Sequence, residues 1–164
     1  MSMFQHPDYQ WRETCFVYFH RDHRPLLKQV VETLEALDAG LELSNSQADE
    51  RGYFESLTVV APANHAAMDI AYLSGSDIRE EAAKLVNELS RADLQPEERD
   101  ELRRILDCDG RFDVLHFEQI GEEDDTGEGP GDELFDPSAL ILVLGELSRL
   151  TKGVAVDPQS GVVL

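Results

Sequence analysis

The chain lacks any long apolar run, and it has few cysteines. No stretch approaches the about 18 consecutive apolar residues that a membrane-spanning helix needs, and residues Met1 to Arg12 are polar and aromatic rather than basic and then apolar. Neither a transmembrane segment nor a signal peptide is therefore predicted. The two cysteines, Cys15 and Cys108, are far apart and form no CxxC motif, so reduced thiols in a cytoplasmic protein are the simpler interpretation.

Basic residues are also scarce: 14 Lys and Arg stand against 34 Asp and Glu, which gives a net charge of -20 and a pI near 4.4. Such a field repels nucleic-acid phosphates and anionic lipid surfaces, so neither nucleic acid nor a membrane is predicted as a partner. One interpretation is an acidic surface that keeps the protein soluble. The functional alternatives are a docking surface for a basic protein partner and adaptation to high salt.

The length and apolar content indicate one domain. With 164 residues, of which 41% are hydrophobic, the chain can bury a core of its own, and residues 1–164 are predicted to form a single domain. Within it, the stretch 121–133 contains four glycines and no apolar residue, so it cannot enter a core. It is predicted to be an acidic, glycine-rich mobile loop.

Hydrophobic periodicity predicts alternating strands and helices. The helix from Ala139 to Leu150 is apolar on almost every side, so it is predicted to be buried under a sheet or in a subunit interface. Asp38-Ala39-Gly40 is predicted to end the first helix with a left-handed stop. The predicted strands are Thr14 to Phe19, Leu41 to Ser46, Tyr53 to Val60, Met68 to Leu73 and Phe112 to Gln119; the predicted helices are Pro25 to Leu37, Ser76 or Asp77 to Leu89, Glu97 to Leu106 and Ala139 to Leu150; a hairpin follows from Val154 to Leu164.

The segment YFHRDHRP, Tyr18 to Pro25, concentrates polar side chains just after the first predicted strand. Its His20-Arg21-Asp22 copies the start of a protein-kinase catalytic loop, but Leu27 stands where that loop needs a magnesium-binding asparagine, so the match is rejected. A metal site is not predicted either, because His20 and His23 span a strand end and a turn, and no HExxH or paired CxxC motif is present. Instead, Asp22 or His23 is predicted to accept hydrogen bonds from the first helix amides, with Pro25 as the first helical residue.

No motif for nucleophilic catalysis is present, and neither catalytic residues nor a cofactor is predicted. No GxSxG elbow organises the serines, and both cysteines are predicted to be structural. Cys108 lies between two aspartates, whose negative charge would raise the thiol pKa.

The first third of the chain resembles a known family. The order of strand, loop, helix, glycine and strand over residues 14–60 resembles the first half of an ACT-type regulatory domain. The matching positions are Asp22, Arg24-Pro25-Leu26-Leu27, Val30, Leu34, Gly40 and the strand from Leu41. That family's loop ends in Asp-Arg-Pro-Gly-Leu-Leu, and its glycine lets the backbone approach a bound amino acid; Leu26 stands at that place here. The resemblance implies an α+β fold, a ferredoxin-like two-layer sandwich with helices on one face of an antiparallel sheet, extended by a C-terminal helix and hairpin.

Together these patterns predict a non-enzymatic regulatory or small-ligand-binding protein that forms a homodimer. The predicted ligand is a small anion, held where arginines and the N-terminal amides of the first helix converge. The alternatives are an acidic interaction protein of the inhibitor or immunity type, and a small enzyme in which His20, His23 or His116 meets a carboxylate in a cleft. The predicted ligand-binding residues are His20, Arg21, Asp22, His23 and Arg24.

Overall fold

The computed structural model describes residues 6–91, 94–119 and 137–164. These residues form seven strands and four α-helices, and each one overlaps an element predicted from hydrophobic periodicity. The predicted loop at 121–133 lies outside the described residues. In chain order the elements are β1 (Tyr9–Phe19), α1 (Leu27–Glu35), β2 (Glu42–Ala48), β3 (Phe54–Ala61), β4 (Ala66–Ser74), α2 (Ser76–Leu89), α3 (Pro96–Ile105), β5 (Gly110–Gln119), α4 (Ser138–Thr151), β6 (Val154–Asp157) and β7 (Val162–Val163).

All seven strands belong to one antiparallel sheet, in the order β2-β3-β4-β5-β1-β6-β7. The longest ladders join β5 to β1 and to β4, so β5 lies at the middle of the sheet. The predicted α+β class and antiparallel sheet are confirmed. Seven strands are more than the four of a simple βαββαβ ferredoxin unit, and the ferredoxin-like topology stays a prediction.

Helices cover both faces of the sheet. Cys15, Val17 and Phe19 point to one face, called here the first face, where they pack with side chains of α1 and α4. The alternate residues Phe16 and Tyr18 point to the second face, where they pack with α2 and α3. The prediction that helices lie on one face is therefore wrong. The sequence of β1 gives the reason, because a strand whose successive residues are all apolar must be covered on both sides.

The glycine stop after α1 is confirmed, since Asp38 and Gly40 both adopt left-handed backbone angles, with φ of 51° and 67°.

The prediction that α4 is buried is confirmed in part. Its sheet-facing residues, among them Val143 and Leu147, are fully buried, whereas Ile141 and Leu142 keep 58% and 46% of their surface exposed. The helix is therefore buried on one side, under the first face of the sheet.

No helix within the described residues is both long enough and apolar enough to cross a membrane.

Candidate functional site

The junction between β1 and α1 begins with a short 3-10 turn. The turn spans Arg21–His23, and His20 caps it by accepting a hydrogen bond at Nδ1 from the Asp22 amide (3.2 Å). Pro25 is buried, and α1 begins only at Leu27. The prediction that Asp22 or His23 caps the helix, with Pro25 as its first residue, is therefore wrong, because an extra turn separates the strand from the helix.

The first amides of α1 have partners inside the protein. The Leu26 amide donates to Oε1 of Gln29 (2.9 Å), and the Leu27 amide donates to the Gly52 carbonyl (2.9 Å). These two amides are not available to the predicted anion. The bond to Gly52 matters in another way, because it holds the turn between β2 and β3 against the junction, together with a bond from the Phe54 amide to the Pro25 carbonyl (3.0 Å).

An open cleft of about 510 Å³ forms where the junction meets this turn and the end of β4. We call it the arginine cleft. Three of the five predicted residues, Arg21, Asp22 and Arg24, line it, whereas His20 and His23 do not. The complete lining is Arg21, Asp22, Arg24, Asp49, Arg51, Tyr53, Tyr72 and Ser74.

Arg24 is held rigidly at the base of the cleft. Its Nε donates to the Phe54 carbonyl (2.9 Å), and its Nη1 donates to Oδ2 of Asp49 (3.2 Å). Its guanidinium carbon lies 4.1 Å from the centre of the Tyr72 ring, which is the distance of a cation–π contact. Within the described residues, Nη2 of Arg24 donates to no other group, and Arg24 is one of the residues that line the cleft.

Asp49 organises the turn between β2 and β3 that lines the cleft. Its Oδ1 accepts hydrogen bonds from the amides of Arg51 and Tyr53 (2.9 Å each), which closes the turn that carries both side chains. The bond from the Tyr53 amide is the largest of the effects that lower the pKa of Asp49, and the Arg24 guanidinium adds to it. Asp49 is therefore a carboxylate whose oxygens are already occupied.

Arg21 stands at the rim of the cleft. Its amide donates to Oδ1 of Asp109 (2.9 Å), and its Nε lies 3.3 Å from Oδ2 of the same carboxylate. Its side chain is 63% exposed, whereas that of Asp109 is only 12% exposed, so turning Arg21 toward a ligand would leave a largely buried carboxylate without this partner.

The two histidines of the segment Tyr18 to Pro25 form different structural contacts. His20 caps the 3-10 turn, and its Nδ1 lies 3.4 Å from Oδ2 of Asp22. His23 donates from Nδ1 to the Thr151 carbonyl (3.1 Å), which joins the junction to the end of α4. Both side chains therefore act in the local structure, and the prediction that they contact a ligand has no support in the cleft lining.

Free donors and occupied acceptors distinguish this cleft. Within the described part of the chain, four of its donors have no hydrogen-bond partner: the Arg51 guanidinium and the hydroxyls of Tyr53, Tyr72 and Ser74. Its best-placed carboxylate, Asp49, already accepts three hydrogen bonds. A surface of this kind is chemically matched to a ligand that brings acceptors, above all an anion.

Five lining residues were missed by sequence reasoning. Asp49 and Arg51 lie in a stretch interpreted only as a hairpin connection, although an aspartate that starts a tight turn is a recognisable signal. Tyr72 and Ser74 reach the cleft through the register of β4 in the sheet, and no local pattern shows that. The fifth missed residue is Tyr53.

A second arginine cluster lies on the second face of the sheet. Arg111 donates from Nε and Nη2 to the two oxygens of Asp113 (2.5 and 3.3 Å), and from Nη1 to Glu81 and to the Tyr18 hydroxyl. Its guanidinium carbon lies 4.2 Å above the Phe16 ring. Burial lowers the pKa of Arg111, but the bonds and charge of Asp113 together with the bonds to Tyr18 and Glu81 raise it overall. This cluster joins α2 to the sheet.

The remaining chemical candidates lie in the core. His116 is fully buried, with Nδ1 at 3.4 Å from Oε1 of Glu13, so it meets a carboxylate, although it lines none of the described clefts. Cys15 and Cys108 are buried free thiols, with pKa values raised to about 12 and about 11. Burial is the largest cause for both, and the aspartates predicted to raise the pKa of Cys108 contribute less.

Among residues 6–91, 94–119 and 137–164, no three His, Cys, Asp or Glu side chains are arranged to hold a metal ion. Comparison of the chain with protein-family models, with curated proteins and with solved structures found no match.

Proposed function

We propose that this protein is a non-enzymatic binding or regulatory protein that takes up a small anion in the arginine cleft. The observation that carries the proposal is that three arginines and only two aspartates line the cleft, and that the Arg51 guanidinium has no hydrogen-bond partner among the described residues. These donors face an open cleft and water, and an anionic ligand can replace that water with charge-assisted hydrogen bonds.

The shape and rigidity of the cleft support the same proposal. Its volume of about 510 Å³ falls within the range of about 300–1,000 Å³ that is typical of small-molecule sites. Arg24 is already fixed by Phe54, Asp49 and Tyr72 before any ligand arrives. A preorganised guanidinium loses little conformational entropy on binding, which favours affinity for a small ligand.

The test compares anions at constant ionic strength. Acetate, gluconate, phosphate and sulfate are added in turn in place of chloride, and the thermal unfolding midpoint is measured for the native protein and for Arg51→Met and Arg79→Met. Arg51 lines the cleft, whereas Arg79 is an exposed arginine of α2 outside it, so the second variant is a matched control.

We expect at least one anion to raise the midpoint of the native protein and of Arg79→Met, and to have a smaller effect on Arg51→Met. Sulfate and phosphate stabilise most proteins through exclusion from the surface, and the matched control separates that general effect from binding. An equal response of both variants to every anion would contradict the proposal.

The homodimer is proposed as well. Ile141 and Leu142 expose large apolar side chains on the outer side of α4, and a second copy could cover them. Light scattering at low micromolar concentration should give about twice the mass of 18.4 kDa, and a single 18.4 kDa species would contradict it.

An acidic interaction protein is the second candidate function, and the net charge of -20 favours it. Deleting residues 122–133, which carry seven carboxylates, should then weaken binding to a polylysine probe and flatten its salt dependence. The deletion should leave anion binding in the cleft unchanged. If polylysine binding is unaffected by the deletion, the acidic segment is not a docking surface.

The ACT-like relationship and its ferredoxin-like topology remain proposals. The order of β1, α1 and β2, and a cleft at the junction between the first two, support them. A cytoplasmic location is also a proposal, supported by two free thiols.

A further inference from the structure

We infer that the ligand of the arginine cleft is a singly charged carboxylate with a hydroxylated body, of the chemical class of the sugar acids. The inference rests on the proposed anion-binding function and specifies the charge and the polarity of the ligand. Three features of the cleft support it: its charge count, the geometry of its free donors and the nature of its lining.

The charge count favours a single negative charge. Three arginines and two aspartates line the cleft, which leaves one excess positive charge. Arg21 is partly neutralised further by Asp109, so the excess is not larger than this. The site can neutralise at most one negative charge, so a dianion leaves it negative inside a protein of net charge -20.

The free donors suit a planar carboxylate. Arg51 has its whole guanidinium available, and such a fork binds the two oxygens of a carboxylate through parallel hydrogen bonds. In Arg24, Phe54 occupies Nε and Asp49 occupies one hydrogen of Nη1, which leaves Nη2 and the second hydrogen of Nη1. The two arginines together can therefore satisfy one carboxylate.

The rest of the lining suits hydroxyl groups. The cleft has no aliphatic residue in its lining, and Tyr53, Tyr72 and Ser74 place three free hydroxyls around it. A hydroxyl both donates and accepts, so it can pair with hydroxyls of a ligand in either direction. The volume of about 510 Å³ leaves room for such a body beside the carboxylate.

Four six-carbon, open-chain compounds separate these requirements in a calorimetric titration at constant ionic strength. Sorbitol has the hydroxyls without charge, gluconate adds one carboxylate, glucarate adds two, and hexanoate has one carboxylate without hydroxyls. We expect gluconate to bind about tenfold more tightly than sorbitol and hexanoate, because each lacks one set of hydrogen bonds, and more tightly than glucarate. Arg51→Met should remove this preference, and Arg79→Met should keep it.

A second variant tests the charge count directly. Asp22→Asn removes one negative charge from the lining at an exposed position and keeps the shape of the side chain. The ratio of gluconate to glucarate affinity should then fall by about threefold. Tighter binding of glucarate than gluconate by the native protein, or equal binding of hexanoate, would overturn the inference.

The outcomes also separate this inference from the proposed function. If glucarate or hexanoate binds best and Arg51→Met still abolishes that binding, the cleft is an anion site and the sugar-acid assignment is wrong. If none of the four compounds binds, the assignment is wrong as well, and the anion series described above decides the proposed function independently.

Discussion

The two arginine clusters of this protein contain the same types of side chain but have different roles. Arg24 and Arg111 each stack on an aromatic ring and each pair with an aspartate. Arg111 has four hydrogen bonds to Asp113, Glu81 and Tyr18, so almost all of its donors are occupied. Arg24 has two, and it lies beside other donors that are free.

The difference shows what separates a structural cluster from a binding site. The side chain of Arg111 is 7% exposed, and its partners come from β1, β5 and α2, so it holds a helix against the sheet. Arg24 is 19% exposed and borders an open cleft. A buried charge must be fully paired, whereas a charge at the edge of a cleft can keep donors for a ligand.

The largest effect is expected from Arg111→Met. The substitution leaves Asp113 and the Tyr18 hydroxyl without their partner in a largely buried position, and the free energy of unfolding should fall by about 3–5 kcal/mol. Urea unfolding followed by circular dichroism measures this change. The double variant Arg111→Met/Asp113→Leu should recover much of the loss, because it removes the unpaired carboxylate. A change no larger than that of Arg79→Met would show that the cluster is not structural.

A smaller loss of stability is expected from Arg24→Met. Methionine keeps part of the contact with Tyr72 but leaves the Phe54 carbonyl without its donor, and the free energy of unfolding should fall by about 1–2 kcal/mol in the same urea experiment. Anion binding in the cleft should be lost at the same time. Arg24→Lys keeps the charge and should restore binding only in part, since an ammonium cannot reproduce the stacked planar fork.

The core holds a buried titratable side chain, His116, whereas no histidine lines the arginine cleft. Burial lowers the pKa of this imidazole below its usual value, and Glu13 offsets the effect in part, with Arg12 and Glu118 as the other charged neighbours. The imidazole therefore binds a proton more readily in the unfolded chain than in the folded protein. The free energy of unfolding is retained above about pH 6.5 and falls as the pH decreases below it. The total loss is about 1.4 kcal/mol for each unit by which the folded and unfolded pKa values of His116 differ.

This pH dependence can be measured through the urea midpoint between pH 7.5 and 5. His116→Gln should flatten the fall, whereas His6→Gln, at an exposed position, should follow the native curve. Parallel curves for the native protein and His116→Gln would show that another group controls the transition.

The elements of the fold were predictable because each depends on local apolar spacing. The helix now found at Ser76–Leu89 and the strand at Gly110–Gln119 were both recognisable from their periodicity alone. The layers were predicted wrongly, although the unbroken apolar stretch in β1 is typical of a strand that is covered on both faces. The strand order was not, because it depends on pairings between segments that are distant in sequence.

The cleft was predictable only in its first segment. Arg21 and Arg24 were recognised because they follow a strand and precede a helix. Their partners Asp49 and Tyr72 come from a turn and a strand that only the sheet register brings close. Sequence reasoning also placed a cap at Asp22 or His23, since it could not foresee the 3-10 turn that His20 caps.

Arg51→Met should have the smallest effect on stability of these variants, and it gives the most direct test of the arginine cleft as a binding site. Because its guanidinium has no hydrogen-bond partner among the described residues, and Arg51 is exposed, Arg51→Met should leave the urea midpoint nearly unchanged while calorimetry with gluconate shows that binding is lost. That combination identifies a side chain kept for a ligand rather than for the fold. Binding of gluconate with equal affinity by the native protein and Arg51→Met would contradict the assignment of the arginine cleft as the binding site.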